Sequence, residues 1–149
     1  MTTQELNNSS TLIDLLSERH QQMRNTLENR WNEQHDIQIS TSEWFIIARI
    51  YNKTATITQI AKEANLTRQA VHKHVKNLSS KGIVEVSELK SNKKGKPIRL
   101  SSLGNEYYEK YEQLKVSLEN AIARSLDEKQ LEKLKGLLKE DWNMKDFNM

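Results

Sequence analysis

Between Thr67 and Lys76 the chain reads TRQAVHKHVK, and its residue types suit binding rather than bond-making. The Gln69 amide can bond an adenine edge in two places, while His72 and Lys73, one helical turn later, can reach guanine acceptors or phosphate. Thr67, Arg68 and Lys76 are positioners, able to hold phosphate oxygens alongside the free N–H groups of a helix start. A short polar segment downstream adds Lys90, Asn92, Lys93, Lys94 and Lys96, with no acid after Glu88. From Thr67 to Arg99 there are nine Lys/Arg against two Glu, a net of +7, whereas the whole chain nets only +3. The rest is therefore net acidic, at −4, and cations gathered in one compact stretch point to a polyanion as partner.

Other chemistries find little support. There is no Gly-rich phosphate loop, nucleophile elbow or paired acid–base cluster, so an enzyme is not expected. The chain has no cysteine, which excludes disulfides, thiolate nucleophiles and Cys-ligated zinc. His72 and His74 are two apart, about 200° around a helix, and cannot chelate one ion together. No cofactor is expected. A metal-responsive protein stays open only through His20 or His35 meeting a carboxylate in space.

These groups need elements to carry them. Asn65-Leu66-Thr67 reads as a turn with Thr67 as N-cap, and Ala70, Val71, Val75 and Leu78 form the packed stripe of the helix that follows. Before it, Thr56 and Gln59 frame a capping box for a short helix over 57–64. Ser40 and Glu43 form another ahead of the nearly all-apolar WFIIARIYN. Gly82 is placed to end the charged helix in a left-handed conformation. Residues 83–89 and 97–101 alternate apolar and polar as two strands joined by SNKKGK, a hairpin tip with Gly95 free for positive φ. Leu12, Leu16, Met23, Leu27 and Trp31 mark a first long helix. Tyr107, Tyr111, Leu114, Leu118 and Ile122 mark a penultimate one. After a cap at Asp127 and Gln130, Leu131, Leu134, Leu138 and Trp142 mark the last.

The expected fold is mainly α with a small β wing: a winged helix-turn-helix core flanked by long N- and C-terminal helices. Residues 1–38 form an N-terminal dimerisation helix, 39–101 the DNA-binding domain and 102–149 the C-terminal dimerisation helices. At 149 residues, 36% hydrophobic and with a mean hydropathy of −0.81, the chain has a thin core for its length. Long helices of that kind finish burying themselves against a second copy, so a homodimer is expected. The longest apolar run, Trp44 to Ala48, is far short of a membrane span. No signal peptide is read at the N-terminus, and the expected location is the cytoplasm.

In this arrangement the chain resembles the MarR family of bacterial transcription regulators over roughly 39–142. The resemblance rests on the Trp-bearing helix after its capping box, T-x-x-Q-I-A in TITQIAKEANLTRQAV, V-x-x-L-x-x-K-G-I-V from Val75 to Val84, the basic wing, and L-S-x-L-G before the long helix. It implies a dimeric, sequence-specific regulator of double-stranded DNA, most simply a ligand-responsive repressor on a pseudo-palindromic operator. It also implies a small-molecule effector pocket where the dimer and DNA regions meet. Trp31, Trp44 and Tyr111 are its candidate walls, with His35 or Arg49 as the polar contact. One departure stands out. Family wings usually carry an Asp-Arg-Arg type tip, whereas Asn92-Lys93-Lys94 stands here, and lysine lacks the planar fork of arginine. Minor-groove reading by the wing should be weaker for it, leaving mostly phosphate attraction.

Blander readings compete at each point. The charged helix could be an ordinary solvated face, the wing lysines a guard against edge-to-edge strand pairing, and the aromatics plain core. A protein- or RNA-binding winged helix is the rival function, and the four wing lysines argue against it.

Overall fold

The computed structural model describes residues 11–86 and 95–147. The strand residues expected at 87–89 and the wing-tip residues Lys90, Asn92, Lys93 and Lys94 lie outside that set. Elements follow in the order α1 (Leu12–Gln34), α2 (Thr41–Ile50), α3 (Ile57–Ala64), α4 (Arg68–Ser80), β1 (Val84–Val86), β2 (Ile98–Leu100), α5 (Ser102–Leu126) and α6 (Glu128–Lys139). A single 3₁₀ turn at Met144–Asp146 follows. The chain divides into two compact units, residues 1–113 and 114–149.

In the first unit the helix boundaries follow their caps. At α2, the Ser40 hydroxyl accepts from the Glu43 N–H at 3.2 Å, and the Glu43 carboxylate accepts from the Ser40 N–H at 2.9 Å. Thr56 and Gln59 repeat this reciprocal pair at α3. Each satisfies two N–H groups that a helix start leaves orphaned. Asn65, at φ 54°, closes α3 in the left-handed conformation that Asn tolerates better than most residues. Gly82 does so after α4 at φ 77°, with the Ile83 N–H returning to the Leu78 carbonyl at 2.9 Å and its own N–H to Ser79 at 3.0 Å. That pair of bonds ends the helix and turns the chain into β1.

The hairpin pairs Val84 with Leu100, Glu85 with Arg99 and Val86 with Ile98, antiparallel. On its other side Ile98 exchanges both backbone bonds with Ala55, at 2.8 and 3.2 Å, so β2 is flanked on both sides at its start. Around this sheet sits the core: Ile46, Ile47, Ile50, Ile60, Val71, Leu78, Ile83 and Ile98 are all at most 1% exposed. Ser101 ties the hairpin to α5. Its hydroxyl donates to the Gly82 and Ile83 carbonyls and accepts from the Gly104 N–H at 3.0 Å.

The second unit holds the end of α5 and all of α6. Asp127, at φ 71°, caps α6 by accepting from the Gln130 N–H at 2.8 Å. Lys135 reaches Glu119 at 3.1 Å, and that hydrogen bond and charge raise the lysine's pKa above its ordinary value. Leu131 is buried, whereas Leu134, Leu137 and Leu138 are 42–48% exposed.

Gly104 makes the first turn of α5 possible beside β1 and β2. A Cβ there would run into the Ile83 carbonyl oxygen, and Leu100 Cδ2 would lie 3.1 Å away. Backbone on the clashing side cannot swing away as a flexible side chain can. Gly104→Ala should therefore cost about 1–3 kcal/mol of stability, as overpacking does. Gly136→Ala, in α6 with nothing within 4 Å, should be neutral or add up to about 1 kcal/mol by helix propensity. Thermal melts of the two variants check this, and equal shifts would contradict it.

Candidate nucleic-acid interface

The outward face of α4 is fixed by its inward one. Val71, Val75 and Leu78 are buried at 0, 5 and 0% exposure, so the residues between them must turn away. Arg68, Gln69, His72, Lys73 and Lys76 are all exposed, as is the cap residue Thr67. The Thr67 hydroxyl accepts from the Ala70 N–H at 3.0 Å, and no acid occupies the first turn. The positive end of the helix dipole therefore meets solvent together with side-chain cations.

Thr67, Gln69, His72, Lys73 and Lys76 line one shallow depression of about 520 Å³. A larger groove of about 790 Å³ runs between α4 and the hairpin. Arg68, His72, Lys76 and Lys96 stand along it over a floor that includes Ile57, Val75 and Ile98. The structure thus brings Lys96, from the far end of the hairpin, to the same face as the helix cations. None of Arg68, Lys73, Lys76 and Lys96 has an ion pair among the described residues.

Two of the nine cations counted between Thr67 and Arg99 face other duties. Arg99 is paired across the hairpin with Glu85 at 3.2 Å. Lys81 turns back, donating to the Gln38 carbonyl at 2.7 Å and lying 3.7 Å from the Glu43 carboxylate. Sequence alone ranked Lys81 with the other cations. The signal that could have separated it is its place after the helix end, next to Gly82, where the chain leaves the exposed face.

The aromatic residues form a second assembly. Trp44 stacks on Tyr111 at 3.9 Å between ring centroids, and Trp31 meets Trp44 edge-on at 4.9 Å. His35 stacks on Trp31 at 3.7 Å, the i, i+4 partner on the same helix face, and Tyr107 stands edge-on to both. The Trp31 indole donates to the Ile37 carbonyl at 3.0 Å, and Arg24 donates to the Tyr111 hydroxyl at 3.2 Å. Trp31, Trp44 and Tyr111 are 1, 6 and 5% exposed, so the rings fill the space between them. Arg49 stands apart from this cluster. Its guanidinium lies 4.0 Å over the Phe45 ring and pairs with Glu63 at 3.4 Å. Tyr107 belongs to the cluster although the candidate walls read from sequence omitted it. The tyrosines with shifted titration lie elsewhere, at the C-terminal cap of α2 and on α5. Tyr51 is raised by its hydrogen bond to Glu109, and Tyr108 chiefly by burial.

Among the described residues no group of three or more His, Asp or Glu side chains is placed to hold a metal ion, and no helix is long and apolar enough to cross a membrane.

Comparison with known proteins places this geometry. A MarR family model matches residues 37–94. The reduced form of MarR from E. coli superposes with a TM-score of 0.76 at 22% identity, covering 89% of this chain and 96% of that one. MepR, a transcription regulator of the Staphylococcus aureus multidrug efflux pump MepA, gives 0.70 at 19% identity, covering 87% and 94%. No curated protein sequence matches. Residues 37–94 thus resemble the MarR family in sequence, and the chain shares the winged helix-turn-helix fold of these two solved proteins.

Proposed function

We propose that this protein is a homodimeric, ligand-responsive repressor that reads a pseudo-palindromic DNA operator with α4. The observation that carries the reading is the acid-free outer face of α4, where Arg68, Gln69, His72, Lys73 and Lys76 are exposed and where Arg68, His72 and Lys76 line one groove with Lys96. An α-helix fits the major groove, and the first turns of such a helix reach base edges. Gln69 and His72, with Lys73, are the base readers. Thr67, Arg68 and Lys76 hold phosphates, and the wing residues Lys90, Asn92, Lys93, Lys94 and Lys96 track the neighbouring backbone. The protein acts without a cofactor and in the cytoplasm.

Reading and positioning separate by salt dependence. Replacing Lys93, Lys94 and Lys96 by Ala should weaken operator and random duplex about equally and flatten the slope of log K against log salt by up to about three units, near one per phosphate contact. Gln69→Ala or His72→Ala should cost about 1–3 kcal/mol on the operator and little on random duplex. A wing variant that lost only operator binding would reverse these roles.

Dimerisation accounts for the apolar surface that each unit leaves uncovered. Leu12 and Ile13 on α1 are 59 and 76% exposed, and Leu134, Leu137 and Leu138 form one stripe on α6 at i, i+3 and i+4. Such surface is costly in water and fits a second copy. Two α4 helices held on a two-fold axis suit half-sites about 10 bp apart. Leu134→Asp together with Leu138→Asp should give a monomer by light scattering and abolish operator binding. A double variant that stays dimeric would move the interface elsewhere.

The effector reading belongs to the aromatic cluster, where Trp31, Trp44 and Tyr111 would wall a small aromatic or anionic ligand. Arg49 is engaged with Phe45 and Glu63, which leaves His35 as the polar contact. Because the rings already touch, a ligand must bind a conformation in which they have parted, and it can shift DNA affinity only by preferring that conformation. Ligand addition should change tryptophan emission and release operator DNA over one concentration range. Emission changes that persist in Trp31→Phe, Trp44→Phe protein would place the site elsewhere.

A further inference from the structure

We propose that Lys81 is a positioning residue for DNA reading, strapping the C-terminal end of α4 to the connector between α1 and α2. The inference rests on the reading of α4 as the DNA-recognition helix, and it concerns a residue that reads no DNA itself. Lys81 is the C-cap of α4. It lies 13 residues beyond Arg68, about 20 Å along the helix from the end that would meet bases.

Two contacts make the strap. Lys81 Nζ donates to the Gln38 carbonyl at 2.7 Å. The same ammonium lies 3.7 Å from Glu43 Oε2, whose side chain is only 6% exposed. That oxygen is buried and has no hydrogen-bond partner, so Lys81 is the charge that offsets it. Glu43 is not free to follow Lys81 elsewhere, because its other oxygen is held by the Ser40 N–H at 2.9 Å in the cap of α2. The connector is pinned from its other side as well, where the Trp31 indole donates to the Ile37 carbonyl at 3.0 Å. The Gln38 carbonyl therefore sits one residue from a group fixed by the aromatic cluster, and its partner sits on the recognition helix.

Among the described residues Lys81 is the one cation paired with this buried carboxylate, which makes its place specific. Moving Lys81 away strands the Glu43 charge, whereas a neutral pair of the same shape tolerates several arrangements. The strap thus selects one tilt of α4 relative to α2, where hydrophobic packing by Val75 and Leu78 alone would allow small rocking. Any change in the Trp31 cluster that moves Ile37 reaches α4 through the adjacent carbonyl.

The test uses full-length protein, the duplex that the wild type selects from a random pool, and a scrambled version of that duplex. Lys81→Met keeps the length of the side chain and removes its charge. Glu43→Gln removes the carboxylate charge and keeps the cap, because glutamine serves at that position too. Each should lower affinity for the selected duplex about tenfold, leave the scrambled duplex unchanged and leave the salt slope unchanged. The double variant should be no worse than either single one, because both remove the same interaction. Lys81→Arg should restore binding. Connector amides from Asp36 to Ile39 should exchange faster in Lys81→Met protein without any DNA. A salt slope reduced by about one unit would make Lys81 a phosphate contact and overturn the proposal. So would a double variant weakened about a hundredfold, or equal losses on both duplexes. If the wild type selects no duplex at all, the recognition-helix reading fails. The strap is then judged on exchange, and unchanged connector exchange overturns it.

Discussion

Burial of one apolar stripe on α4 is the constraint from which the rest of the interface follows. Val71, Val75 and Leu78 lie within a core of isoleucines from α2, α3 and the hairpin, and they fix which face of the helix turns to solvent. Burying side chains of this size contributes about 1.5–3 kcal/mol each, far more than any exposed charge on the opposite face. The polar residues of α4 therefore do not hold the helix in place. They are carried by it, and they can be chosen for a partner instead of for stability.

The sheet and the caps serve that constraint. With Ala55 bridged to Ile98 on one side and β1 paired on the other, the start of β2 is anchored from both sides, which helps three-residue strands hold the hairpin beside α4. Ser101 then binds carbonyls at the start of β1 and the first turn of α5 at once. This is why Gly104 must lack a side chain. The start of β1, the end of β2 and the start of α5 meet where a methyl group has no room, so the orientation of the hairpin and the start of the long helix are set together.

Local signals in the sequence placed these elements well because each is a short-range device. The Ser40/Glu43 and Thr56/Gln59 boxes, Thr67 as a cap and Gly82 as a left-handed terminator act within four residues, and the 3.6-residue spacing of Val71, Val75 and Leu78 needs no knowledge of what they pack against. The same holds for the exposure of Arg68, Gln69, His72, Lys73 and Lys76. Long-range partnerships were not legible. Nothing local says that Lys81 meets Gln38 and Glu43, more than 35 residues earlier, or that Arg49 pairs with Glu63 on α3. Charge counting failed in the same way. A sum over Thr67 to Arg99 treats nine cations alike, yet Lys81 and Arg99 are committed to Glu43 and Glu85.

That division of labour changes what the basic stretch means. An exposed ion pair such as Arg99–Glu85 is worth little to stability, so its value lies in keeping β1 and β2 in register and in removing one cation from the field that a polyanion would meet. The Lys81–Glu43 pair is of another kind, because its carboxylate is buried and cannot be left alone. Within the basic stretch, the described cations without an ion pair, Arg68, Lys73, Lys76 and Lys96, line adjoining depressions on and beside α4. A potential built from fewer charges on one face is more directional than the same net charge spread around the winged helix. Direction, more than magnitude, is what aligns a helix with a groove before any base is touched.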